Sequence, residues 1–109
     1  MTTGIDIDQA TAVRAFGDAY FNLIRRGADG SLTMSVDHWR LDDATEDTLR
    51  FAAREPEAPT LELSRQQVER IVWDRLPKQQ LRSQIRFQLG NGDVWTFSGS
   101  VDESALPER

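Results

Sequence analysis

The sequence predicts an α+β domain in which an N-terminal amphipathic helix precedes a strongly bent antiparallel sheet. Three features carry that expectation. Apolar residues recur at steps of three and four between Ala10 and Ile24, the spacing of one helix face. From Ser31 the period changes to two, the spacing of one sheet face. Near the C-terminal end, Asn91-Gly92 stands between two alternating segments and supplies the positive φ angles that tight hairpins need. A chain of 109 residues holds one hydrophobic core and is too short for two, so residues 1–109 are expected to form a single domain.

Asp8 is placed to cap the helix, and Val13, Phe16, Tyr20, Leu23 and Ile24 continue the stripe, which predicts a helix over 9–26. Arg25 and Arg26 complement its C-terminus and Gly27 ends it. Gly17 weakens the middle, and a break there would let Ala19–Arg25 form a strand instead. The stripe is too apolar to face water. It is expected to close one end of the sheet, with pairing to a second copy of the chain as the alternative.

The sheet is expected over residues 30–100. Leu32, Met34 and Val36 alternate with Thr33 and Ser35, which predicts a half-buried strand. Asp42–Asp47 is an acidic turn, Thr48–Ala53 a strand, and Arg54–Pro59, with two prolines, a loop. A short strand at Thr60–Leu63 follows. Ser64 and Gln67 open one helical turn that runs into a strand around Ile71-Val72-Trp73. Residues 81–89 then alternate and return through Val94–Ser98. The tail 102–109 reads as frayed.

Charge and composition narrow the function. The chain has no cysteine, which excludes disulfides, thiolate nucleophiles and cysteine zinc sites and favours a reducing cytoplasm. Its opening, MTTGIDID, lacks the basic and apolar stretches of a signal peptide, and no apolar run reaches the ~20 residues of a membrane span. The net charge of −5 opposes binding to nucleic acid or to anionic membranes.

No catalytic, metal or cofactor site is predicted. His38 is the only histidine, and its neighbour Asp37 points to the opposite face of a strand. Asp42, Asp43, Glu46 and Asp47 lack the ligand spacing of a calcium loop. Gly90-Asn91-Gly92 leads into a strand and not into the helix start that a phosphate cradle needs. The charge distribution is more informative. Residues 65–86 carry 6 bases against 2 acids. Arg70, Arg75, Lys78, Arg82 and Arg86 form the candidate binding patch, with Arg82 and Arg86 sharing the face of their strand that turns away from the core. Guanidinium groups bind carboxylates bidentately, so the expected partner is a protein or an acidic peptide.

Gly30-Ser31-Leu32-Thr33-Met34-Ser35, Trp39-Arg40-Leu41, Leu63 with Val68, Ile71 and Val72, and the hairpin Ile85–Leu89, Asn91-Gly92, Trp95-Thr96-Phe97 follow one another in a familiar order. Together they resemble a GRAM domain, a branch of the pleckstrin-homology-like superfold. The resemblance spans about two thirds of the chain and implies a split barrel of bent sheet that binds a partner without catalysis. Such domains usually end in a helix that plugs the sheet. Residues 102–109 are too short for that, and the N-terminal helix would take its place. The lipid-binding use of the fold wants a basic first loop, whereas residues 25–30 offer only Arg25 and Arg26 beside Asp29. Ala12-Val13-Arg14-Ala15-Phe16, followed by Ala19-Tyr20-Phe21, resembles instead the opening helix of the nuclear-transport-factor-like cone, which implies a small ligand-binding protein or enzyme. A third reading is an acidic regulator that mimics nucleic acid, displaying the acids of 37–57 as one stripe.

Overall fold

The computed structural model describes residues 4–55, 57, 60–75 and 83–106, the side chains of 35–37 and 103 excepted. Gln9–Phe16 form the helix α1. Asp8 caps it, accepting the Thr11 backbone N–H on Oδ1 at 2.7 Å. Ala12, Ala15 and Phe16 make its buried face.

The helix stops at Phe16, ten residues before the predicted end at 26. Gly17 takes φ +51°, a conformation that glycine adopts without steric cost, and breaks the hydrogen-bond ladder there. The chain then enters a strand at Phe21–Arg26, and the burial pattern shows why the helical spacing misleads. Phe21 and Leu23, two apart, are buried, while Ile24, which the helical stripe includes, faces the other side. Two neighbouring strands satisfy this segment's backbone groups, and no helix could hold those partners.

Eight strands form one antiparallel sheet: β1 Ile5–Asp6, β2 Phe21–Arg26, β3 Leu32–Ala44, β4 Thr48–Ala53, β5 Leu61–Ser64, β6 Val68–Arg75, β7 Ser83–Leu89 and β8 Val94–Gly99. Their order is β1-β6-β7-β8-β2-β3-β4-β5. Two meanders, β2–β5 and β6–β8, are joined where β2 pairs with β8. Only a 3-10 turn, Arg65–Gln67, separates β5 at one edge from β6 near the other, so the sheet must curl until its ends approach. It does not close, and no ladder links β5 to β6 among the described residues. This is the predicted α+β class, with a bent antiparallel sheet and one helix. No helix is long and apolar enough to cross a membrane among the described residues.

The concave face is filled. Phe16 stands among Phe21, Phe97, Phe51 and Phe87, with ring centroids 5.1, 5.2, 5.7 and 5.9 Å away. Leu49, Leu63, Ile71, Trp73 and Ile85 complete the core around them. The C-terminal hairpin forms as its alternation predicts, with Ile85 opposite Phe97 and Phe87 opposite Trp95. Gly92, at φ +94°, sits in its turn. Leu81, at the predicted start of this strand, lies outside the described residues.

Three further expectations change. Residues 102–106 are not frayed: the Asp102 N–H donates to the Ala15 carbonyl at 2.8 Å, and Leu106 is buried against the core. Asp42 and Asp43 belong to β3, and the turn contracts to Thr45–Asp47, where the Thr45 hydroxyl accepts the Thr48 N–H at 3.1 Å. Most consequentially, Leu32 and Met34 lie on a strand as predicted but are not half-buried. They are 59% and 72% exposed, because α1 covers only one face of the sheet and these two side chains are on the other.

Candidate binding groove

The predicted cationic patch is divided by the structure. Lys78 and Arg82 lie outside the described residues. Arg70 donates from Nε to Asp6 at 2.6 Å, a hydrogen bond that raises its pKa, and both groups are exposed. Such a pair contributes little and leaves a neutral spot on the surface. Arg75, two residues on from the core-facing Trp73, shares its face and stacks against that ring, 5.8 Å from its centroid, on the face opposite Arg70. Of the described members, only Arg70 and Arg86 share the outer face.

Arg86 acquires instead a neighbour that the linear reading assigned to a helix end. Register fixes the arrangement. Across four strands, Arg86 lies opposite Thr96, Thr96 opposite Ile24, and Ile24 opposite Met34. The adjacent row reads Gln88, Val94, Arg26, Leu32. Every one of these positions is on the outer face, because each strand turns its alternate residues to the core. Arg26 and Arg86 stand two strands apart and offset by one row, at a backbone separation of about 12 Å, which two long side chains can span toward a common ligand.

The rows enclose a groove of about 350 Å³ on the outer face of β7, β8, β2 and β3. Its floor is Ile24, Val94 and Thr96; its β7 wall is Gln84, Arg86 and Gln88. Leu32 forms the β3 wall, with Met34 beside it in the next row. One wall is therefore cationic and amide-bearing, and the other apolar. Arg26 is exposed and makes no ion pair among the described residues. Arg86 is loosely held, with its Nη2 3.8 Å from Asp74 Oδ2 and its buried Nε without a hydrogen bond among the described residues. A buried donor in that state gains from any acceptor that reaches it. Val72, in register with Arg86, is buried on this same outer face, where a side chain at Gly4 would collide with it.

Other chemical groups do not gather into a site among the described residues. His38 is exposed on the outer face, opposite Asn22. No three metal-binding side chains cluster among the described residues. Trp39 and Trp73 are core residues, and Trp95 is half-buried beneath Arg25, 5.6 Å from its ring centroid. Arg26, Leu32 and Met34 are the residues that sequence reasoning missed. Two apolar side chains alternating on a strand signal burial, and nothing local says that their face stays uncovered. No family model, curated protein or solved structure matches the chain.

Proposed function

We propose that this chain is a non-catalytic protein-interaction module of the GRAM/pleckstrin-like kind, and that the groove between Arg26 and Arg86 receives an acidic segment of a partner protein. The observation that carries this reading is the coincidence of two arginines with Leu32 and Met34, the two exposed large apolar side chains among the described residues, on one sheet face. Carboxylates are the ligands that guanidinium groups bind bidentately, and apolar area beside them supplies affinity that charge alone does not. The fold supports the resemblance. Two meanders meet at a single strand pair, and α1 packs into the sheet as the C-terminal helix does in those domains.

The competing readings have less beneath them. A cone-shaped ligand-binding protein or enzyme needs a cavity on the concave face, where five phenylalanines are packed. A nucleic-acid mimic needs a continuous acidic stripe. Here Asp42 is paired with Arg40 at 3.4 Å, Asp43 lies opposite Arg50, and Arg54 stacks on Tyr20 at 4.8 Å, so cations interrupt the acids.

An array of acidic, neutral and basic peptides tests the proposal against the wild type and an Arg26→Glu/Arg86→Glu variant. Binding confined to acidic peptides, and lost in the variant while the melting temperature stays within a few degrees, is the expected result. Submicromolar binding of the wild type to random-sequence DNA or to anionic liposomes at physiological salt would refute it. The molecule's net negative field extends over about 8 Å, and such polyanions feel it whole.

A further inference from the structure

We infer that the segment received by this groove is an amphipathic helix with an acidic flank, and not an extended strand. The inference rests on the groove being the partner site proposed above and adds the backbone form of the occupant. Its basis is the position of the groove in the hydrogen-bond order of the sheet.

All four strands under the groove are internal. In the order β1-β6-β7-β8-β2-β3-β4-β5, β7, β8, β2 and β3 each have a paired neighbour on both sides. Peptides that bind by strand addition need a free edge, where their N–H and C=O groups continue the ladder. The face above Ile24 and Val94 offers no such row. An extended segment lying there would turn backbone donors and acceptors onto an apolar floor with nothing to receive them. A helix satisfies these groups within itself and presents side chains alone, which is why helices are the usual second layer on a sheet face. On the concave face α1 is that layer; on the outer face none is present among the described residues.

The two walls determine the pattern of the helix. Ile24, Leu32, Met34 and Val94 call for an apolar stripe at steps of three and four. Arg86, with Gln84 and Gln88 beside it, calls for carboxylates along the flank that faces β7. Arg26, between Val94 and Leu32 in its row, is placed to meet an acidic residue at the border of the stripe.

Three fluorescein-labelled synthetic peptides of about 18 residues, long enough to populate a helix, provide the probes. One carries leucines at helical spacing flanked by glutamates. The second has the same composition except for two central prolines, and the third has lysine in place of glutamate. Anisotropy titrations with the full chain should show micromolar binding of the first, binding at least tenfold weaker for the second, and none for the third. Arg26→Glu and Met34→Glu should each weaken the first peptide at least tenfold with the melting temperature unchanged. Equal binding of the first two, both sensitive to Arg26→Glu, would overturn the helix while leaving the acidic-partner reading intact. Preference for the lysine peptide, or no binding of the glutamate peptide, would overturn the inference, and the former would remove the underlying reading as well. Sedimentation of a wild-type dimer that Met34→Glu dissolves would assign this face to a second copy and equally overturn it.

Discussion

Phe16 is the residue on which α1 and the sheet depend together, and its truncation puts a number on that dependence. The side chain is 1% exposed and touches rings from β2, β4, β7 and β8, so it contacts both meanders at once. Replacing it with alanine removes an aromatic burying about 150–250 Å², and at about 25 cal/mol per Å² that alone is about 4–6 kcal/mol. Measured truncations of buried phenylalanine cluster at about 3–5 kcal/mol, so about 4 kcal/mol is a fair expectation. A domain of this length has about 5–15 kcal/mol of stability, so the variant loses a quarter of it or far more. With a urea m-value of about 1.5 kcal/mol/M, the unfolding midpoint falls by about 2–3 M. Urea titration followed by tryptophan fluorescence reads this directly, because Trp39 and Trp73 are buried in the same core. A midpoint shift below about 0.5 M would mean that α1 docks peripherally and that the sheet holds its own core without it. Amide exchange separates the cases: a peripheral helix loses protection only at its own residues, whereas a central one takes Ile85 and Phe87 with it.

Two other perturbations follow from local geometry. Gly17→Ala should destabilise by about 1–3 kcal/mol in a thermal melt, because φ +51° with ψ −135° strains a residue bearing a Cβ even where space is open, the nearest atom being the Arg14 carbonyl oxygen at 4.0 Å. An increase in melting temperature would show that the helix continues past Phe16. Asp8→Ala should destabilise at pH 7 and lose that effect in acid. Hydrogen bonds from the Thr11 hydroxyl and the Thr11 N–H hold the Asp8 carboxyl below its ordinary value, so its contribution is present above the usual carboxylate range and disappears as the pH falls through its lowered pKa. Urea midpoints of wild type and variant should therefore converge as the pH is taken down through and below the ordinary carboxylate range, and a constant difference would remove the capping role.

The legible parts of this chain are those whose partners are near in sequence. Ser83–Leu89 and Val94–Gly99 pair across a short turn, so alternation and Asn91-Gly92 suffice to place them, and Ile85, Phe87 and Phe97 are core residues as the period requires. The 3-10 turn running into β6 and the capping by Asp8 are similarly local. Residues 19–26 are different. Tyr20, Leu23 and Ile24 satisfy a helical period, Phe21 and Leu23 satisfy a period of two, and both patterns fit eight residues equally well. What settles them is pairing with β3 on one side and with Phe97, Thr96 and Trp95 of β8 on the other, seventy or more residues away.

The same distance hides the groove. Sequence alone determined the class of the fold, the hairpin, and the absence of the cysteine and multi-histidine ligand sets that many catalytic and metal sites use, because composition and short-range period do not depend on how the chain folds back. Only the tertiary structure decided that Arg26 stands near Arg86, that Arg75 faces away from both, and that Leu32 and Met34 remain exposed. The physical reason is that a strand has two faces but no knowledge of which will be covered. α1, stopped at Gly17, can cover only one side of the sheet, and that choice converts an apparent core stripe on β3 into an exposed wall beside two arginines.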